Sequence, residues 1–334
     1  MKEERLQCYE DIACVSGGDT GKGASEFMPH RNIFRETLTD RQSWEKCVNS
    51  RKTFMPLLKY IYETNHMKFD NGFIKLGVSG NSVYRVGGTV VKIFHPPEIK
   101  LLDMDRCETE ITARTFCRSK GILTPDIVCT GTVYDTLYSF PYLVMNYVDG
   151  TDANKAVAGY DKSKKADYAL RVKEIAKIMH VPSGINMPRY DDPNRINHEL
   201  WNIMPESFRK DRKCYIENAK FPEPVFAHGD FCGRNMIIDK QGRLVLIDFA
   251  ESMSAPYYYD EGDFDGDAVL LEAYYGDYQN DEFYDKLLMV RLLGWFGAVL
   301  TKWNAEEMGI DYRSITNVKL LRNMIRKRLD NQHT

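Results

Sequence analysis

Residues 228–249 read HGDFCGRNMIIDKQGRLVLIDF, and the rest of the chain is best read outward from them. A polar loop holds Asp230 and, five residues further on, Asn235. An apolar run, a turn at Lys240–Gly242 and a second apolar run then end on Asp248, which predicts a β-hairpin. Such a hairpin holds Asp248 opposite the loop. Taken singly, Asp230 and Asn235 are turn residues and Asp248 is a strand end. Together they suit nucleotide-dependent phosphoryl transfer: Asn235 and Asp248 offer hard oxygens to phosphate-bound Mg²⁺, and Asp230 faces an attacking hydroxyl.

That chemistry needs phosphate-binding groups upstream, and the chain supplies candidates. Residues 73–94, FIKLGVSGNSVYRVGGTVVKIF, predict a three-stranded antiparallel meander. Its first turn, with Gly77, Ser79, Gly80, Asn81 and Ser82, is able to lay backbone N–H groups over phosphates, although any hairpin turn can be glycine-rich. Lys92 lies within VVKIF. Pointing inward it needs a phosphate and a carboxylate as partners; on the solvated face of an edge strand it needs none. A helix is predicted over residues 103–119, with Cys107, Ile111, Arg114 and Cys117 as one face. Glu108 and Glu110 point about 200° apart on it, so only one can meet Lys92. Glu110, sharing a face with Ala113 and Cys117, is preferred, and Glu108 stays open. Strands resume over residues 126–134 and 142–147. The expected units are an N-terminal extension (1–67), a small α+β lobe (68–148) and a mainly helical lobe (149–334).

Within the extension, Trp44, Phe54, Leu57 and Ile61 recur at helical spacing, with Pro56 expected to bend or divide the helix. Residues 16–25, SGGDTGKGAS, fail as a phosphate loop because Gly23, rather than Ser or Thr, follows Lys22. In the second lobe, Leu170, Ile175, Ile178 and Met179 form an expected core stripe, and residues 283–304 one long helix.

Composition excludes several classes. The 334 residues carry 45 Lys+Arg against 48 Asp+Glu, a net charge of −3, which gives no reason to bind nucleic acid. No run approaches the roughly 18 apolar residues of a membrane span, and the charged N-terminus lacks a signal-peptide core. Eight cysteines without a CxxC pair read as reduced thiols, so a cytoplasmic location is expected. Residues 260–285 hold ten carboxylates and no Lys or Arg. A calcium loop starting at Asp263 fails, since Ala268 and Tyr274 stand where Gly and Glu are needed. The run is either a solvated acidic face or a pocket for a polycation, with Tyr257, Tyr258, Tyr259 and Phe264 suited to a sugar ring or an ammonium group.

The order glycine loop, Lys92, Glu110, YLVMNYVDG (residues 142–150), HGD…N…IDF resembles the protein-kinase-like superfamily. It is most similar to the aminoglycoside phosphotransferase and choline kinase branch: His-Gly-Asp replaces His-Arg-Asp, a helical insertion precedes the loop, and no Ala-Pro-Glu follows Asp248. The likeness covers about residues 70–290. It implies a bilobal α+β fold with a five-stranded antiparallel sheet and one helix in the small lobe. It also implies ATP and Mg²⁺ as cofactors, with GTP not distinguished, and a linker whose Asn146 and Val148 backbone grips the purine. The acceptor it implies is a small, cationic, hydroxyl-bearing molecule, foremost an aminoglycoside-type antibiotic, held by Asp260, Glu261, Asp263 and Asp265. A choline-like or sugar kinase, a protein kinase and a pseudokinase module are the alternatives. There are departures. Cys232 stands where Ser/Thr kinases carry a phosphate-binding Lys, and the basic residue falls at Arg234, which either touches the γ-phosphate or pairs on the surface. Asp-Phe replaces the Asp-Trp common in antibiotic kinases.

Overall fold

Asp40 and Ser50 each start a helix by accepting a backbone N–H from the residue three further on, giving α1 (Arg41–Cys47) and α2 (Arg51–Thr64). These elements come from a computed structural model that describes residues 32–77, 80–99, 106–262 and 264–331. The glycine-rich stretch 16–25 lies outside the described residues. Pro56 does not divide the helix as expected. It sits inside α2, and the break falls at residues 48–50 because the Ser50 side chain caps a new start. Burial of Phe54, Leu57, Leu58 and Ile61 offsets the backbone bond Pro56 cannot donate.

The sheet consists of β1 (Ile74–Lys75), β2 (Ser82–Val86), β3 (Thr89–Ile93), β4 (Ile127–Tyr134) and β5 (Ser139–Asn146), in the order β1-β2-β3-β5-β4 and antiparallel throughout. Its two-residue period separates two jobs. Val91, Ile93 and Val144 face α1 and α2 and share one core with Trp44, Phe54 and Tyr62. Side chains between Phe34 and Tyr62 therefore share one core with the sheet. Lys92, Leu143 and Met145 face the other way, toward α3 (Arg106–Ser119) and the second lobe; Leu143, Met145, Cys107 and Ala250 form a core there.

The second lobe begins with β6 (Gly150–Asp152), α4 (Ala153–Ala158), α5 (Lys162–Met179), α6 (Pro193–Ile196) and α7 (Glu206–Glu217). The strands β7 (Val225–Ala227), β8 (Met236–Asp239), β9 (Leu244–Leu246) and β10 (Met253–Ala255) follow, then α8 (Ala268–Tyr275), α9 (Asp281–Leu293), α10 (Gly297–Glu307) and α11 (Val318–Asn331). β8 and β9 pair as the expected hairpin, with β6 on the outer side of β8.

Two helical expectations need correction. The buried stripe of α5 is Tyr168, Ala169, Val172, Ala176 and Met179, while Leu170 and Ile178 are 48% and 46% exposed. Spacings of three and four residues from Ala169 select the first set and leave the other two on different faces. Residues 283–304 form two helices, not one. Gly294 ends α9, and α10 starts so close that a Cβ at Gly297 would lie 2.0 Å from the Arg291 carbonyl oxygen. Among the described residues all six cysteines are free, and no helix is long and apolar enough to cross a membrane.

Candidate active site

Lys92 occupies the centre of the small-lobe sheet, opposite Val83 on β2 and Leu143 on β5, and is 3% exposed. Its Nζ lies 2.5 Å from Glu110 Oε2 and 2.6 Å from Asp248 Oδ1. Arg114, one turn after Glu110 on α3, donates from Nη2 to the remaining carboxylate oxygen at 2.7 Å and lies over the Phe249 ring. Two cations and two carboxylates thus close on each other across the lobes. Burial works against the charge on Lys92, but Asp248 and Glu110 more than offset it and hold its pKa above the ordinary lysine value. Burial likewise opposes the charge on Asp248. Lys92, with His228 and Arg106, wins, and the Asp248 carboxyl is held down at about 2. The residue adopts a left-handed backbone (φ 60°), which turns the chain out of the hairpin.

Asp230 and Asn235 face each other in the loop between β7 and β8. Asn235 Nδ2 donates to the Asp230 backbone oxygen at 2.9 Å and to Oδ2 at 2.8 Å. Both bonds use the amide nitrogen, so Asn235 Oδ1 is oriented elsewhere. Ile247 donates its N–H to the Asn235 carbonyl at 2.9 Å, which fixes the loop against the strand leading to Asp248. Arg234 Nη2 is 3.9 Å from Asp230 Oδ1 on an exposed side chain. Cys232 Sγ donates to Asp230 Oδ1 at 3.5 Å, and burial with the Asp230 charge pushes its thiol up to about 11, so it stays neutral at pH 7.

Asp260 does not line an acceptor pocket. It is 4% exposed and accepts the backbone N–H of His228 at 2.6 Å and of Gly229 at 2.8 Å, with His180 Nε2 at 3.1 Å. It is a buried clamp for the loop, because two backbone donors and an imidazole consume its oxygens. Part of the acidic run around it is paired with basic side chains. Asp267 caps α8 and pairs with Lys165, while Asp281 and Asp285 pair with Arg322 at 3.0 and 2.5 Å. Glu261 is partly buried, which pushes its carboxyl up, and Asp265 lies close enough to act on Arg234. Asp263 lies outside the described residues.

Gly77, Gly80, Asn81 and Ser82 border the loop before β2; Ser79 lies outside the described residues. A left-handed backbone at Gly77 (φ +61°) and open space around it leave room for a ligand to approach. Sequence reasoning missed what holds this loop. Trp44 Nε1 donates to the Gly80 carbonyl at 2.7 Å and Ser82 Oγ to the Val48 carbonyl at 2.6 Å, so α1 anchors it. No local signal marks a contact between residues 36 apart. Arg114 was detectable, since an acid and a base four apart on a helix form a pair.

Asn146 ends β5 with its N–H on the Asp126 carbonyl, and Tyr147 donates to Gly88, placing Val148 between the lobes. A cavity of about 490 Å³ is lined by Asp126, Asn146, Val148 and Lys240; its wall includes none of Lys92, Asp230, Asn235 or Asp248.

Fold and site together define a bilobal, kinase-fold small-molecule phosphotransferase, an ATP-dependent enzyme acting on an alcohol group. Residues 73–288 match the profile of the phosphotransferase enzyme family APH, and the chain belongs to that family. A comparison with curated proteins finds no match. Among solved structures, the chain is similar to the GDP and kanamycin complex of an aminoglycoside 2″-phosphotransferase (16% identity, 81% of this chain and 99% of that one, TM-score 0.52). It is equally similar to the choline kinase LicA from Streptococcus pneumoniae (16% identity, 82% and 99%, TM-score 0.52). A ternary complex of an aminoglycoside 4-phosphotransferase with AMP-PNP and hygromycin B matches at 13% identity over 81% and 98%, also with a TM-score of 0.52.

Proposed function

We propose that this chain moves the γ-phosphoryl group of ATP to a hydroxyl of a small polar molecule, with Asp230 as the residue that orients and deprotonates that hydroxyl. The observation that carries this reading is the Lys92–Glu110–Asp248 contact across the lobes, with Lys92 and Glu110 buried, beside the Asp230–Asn235 pair. Lys92 is held by Glu110 with its ammonium group ready for the α- and β-phosphates. The N–H groups of the loop at Gly77, Gly80, Asn81 and Ser82 cover the phosphates, and the backbone of Asn146 and Val148 receives the purine.

Asn235 Oδ1 and Asp248 would hold Mg²⁺. The donor set fits: Asp248 stays ionised far below neutral pH, and an amide oxygen and a carboxylate are hard ligands of the kind this ion takes alongside phosphate oxygens. When bound, the ion neutralises charge on the phosphates. Positioning by these side chains then supplies most of the remaining rate enhancement.

For the acceptor, a cationic polyol such as an aminoglycoside is the first compound to test, with choline next. Asp265 of the acidic segment acts on Arg234 of the loop, Glu261 is partly buried in the same segment, and relatives of this fold are seen with kanamycin and hygromycin B. The test is ATP turnover over kanamycin, hygromycin B, choline and a generic peptide, with the phosphorylated product identified by mass. Asp230→Ala is expected to abolish transfer and leave nucleotide affinity within about threefold. Undiminished turnover in that variant refutes the assignment, and phosphorylation of the peptide alone turns it toward a protein kinase.

A further inference from the structure

Glu251 follows Asp248 by three residues and has no part in the scheme above, yet its carboxylate joins the two lobes. Oε1 accepts Nη2 of Arg106, the first residue of α3. Oε2 accepts Trp295 Nε1 at 3.2 Å, with Arg195 Nη1 at 3.6 Å. One carboxylate thus faces donors from three segments: the start of α3, α6, and the connection between α9 and α10. The side chains of Arg106 and Arg195 are only 11% and 10% exposed, and Glu251 itself 19%. Burial works against the charge on Arg195, and Tyr259 and Glu251 hold its pKa above the ordinary arginine value.

The contacts between α3 and the segment after the hairpin run in step. Arg106 reaches Glu251, Cys107 shares an apolar cluster with Ala250, and Glu110 reaches Asp248 through Lys92. Arg106 and Glu110 stand about one turn apart on the helix. A single contact between Lys92 and Asp248 is a point about which α3 can turn, and the second contact at Arg106 removes that freedom. The Glu251 backbone also lies against Gly229, the neighbour of Asp230, so the residue that receives α3 is seated on the loop as well.

We propose that Glu251 is a positioning residue: through Arg106 it sets the spacing of Lys92 from Asp248 across the lobes, where the nucleotide phosphates are held. This rests on the nucleotide reading above. The Lys92–Glu110 pair belongs to the small lobe and moves with it; Glu251 determines where that pair stands relative to Asp248. A carboxylate so little exposed, with two guanidinium groups on it, matters more than a solvated ion pair, because its removal leaves both cations in a poorly hydrated place. Charge-pair geometry of this kind acts on function by placing groups that must meet a ligand together.

Phosphates need both lobes, with Lys92 from one and Asp248 from the other, whereas adenosine needs only the linker. Calorimetric affinities for AMP-PNP with Mg²⁺ and for adenosine are to be measured on the full chain and on Glu251→Gln, Arg106→Gln and the double variant, with urea unfolding as the check on folding. Each single variant is expected to weaken AMP-PNP about tenfold and keep adenosine within about twofold, and the double variant to be no weaker than either. Arg106→Gln carries the test should Glu251→Gln fail to fold. Equal loss of AMP-PNP and adenosine, unchanged AMP-PNP affinity, or losses that multiply in the double variant overturn the role of Glu251 and leave the nucleotide site standing. A parent chain that binds neither compound refutes the nucleotide reading itself, and this inference with it.

Discussion

Replacing Gly229 by alanine tests the geometry of the loop most directly. Gly229 has φ +83°, and a Cβ built there would lie 1.9 Å from the Glu251 carbonyl oxygen and 2.6 Å from its carbonyl carbon. The left-handed conformation costs an alanine about 1–2 kcal/mol. The collision is with backbone, so relieving it means moving either the loop or the segment after Asp248, at a further cost of roughly 1–3 kcal/mol. Gly229→Ala is expected to lose roughly 2–5 kcal/mol of stability. Because Asp230 is the next residue, kcat is expected to fall on the order of 100-fold even where the chain stays folded. Gly233→Ala is the control. Its Cβ would also meet an atom at 1.9 Å, but that atom is Oδ1 of the exposed Asn154 side chain, which can swing away, and Gly233 is not left-handed. Its cost is expected to stay within about 1 kcal/mol. Urea unfolding followed by tryptophan fluorescence, together with kcat, distinguishes the two. Parent-like behaviour of Gly229→Ala, or equal losses in both variants, refutes the reasoning. The same collision explains why this loop reads His-Gly-Asp and has no room for an arginine at its middle position.

Lys92→Met removes one partner of a buried charge cluster and is expected to cost about 3–5 kcal/mol of stability at pH 7, measured by urea unfolding. The folded Asp248 carboxyl is depressed from 3.8 to about 2, so the stability it contributes is present above pH 3.8 and lost as pH falls toward 2. Methionine at position 92 removes the main cause of that depression, so the gap between parent and variant is expected to narrow below pH 4; a gap constant with pH contradicts the assignment. Asp260→Asn sets an NH₂ group against the backbone donors of His228 and Gly229 and is expected to cost about 2–3 kcal/mol and reduce kcat, with the acceptor KM unchanged. A raised acceptor KM at unchanged stability returns Asp260 to the acceptor site.

The motif residues were legible because their roles depend on backbone positions a few residues apart or on strand alternation. Asp230 and Asn235 are fixed by one loop, Asp248 by the end of one hairpin, and Lys92 by the inward face of one strand. Helical angle allowed only one of Glu108 and Glu110 to meet Lys92 without settling which, and the contact falls on the preferred Glu110. The acidic run misled because sequence composition reports charge without its partners. Arg322 and Arg326, which meet Asp281, lie more than forty residues away on α11. Asp260 misled for the converse reason: a carboxylate whose partners are backbone N–H groups leaves no trace in side-chain identity. Trp44 and Glu251 escaped notice since their contacts join segments 36 and 145 residues apart.

The distribution of buried charge also bears on how the site is governed. Lys92 and Arg114 balance Glu110 and Asp248 two against two. Arg114 is required because Glu110 has two oxygens and Lys92 satisfies only one. With Arg114 on the same helix and buried against Phe249, Glu110 cannot swing away from Lys92 without stranding a guanidinium in the core. The Lys92–Glu110 pairing is thus built into α3 and does not depend on a separate segment. α1 acts in the same sense on the glycine-rich loop before β2, through the Trp44 bond to Gly80, and Arg41 of α1 lies over the Trp295 ring in the large lobe. An enzyme whose substrate is a small molecule has no need of a switch at this point. A fixed Lys92–Glu110 pair, a tethered glycine-rich loop and a balanced charge cluster suit such a catalyst.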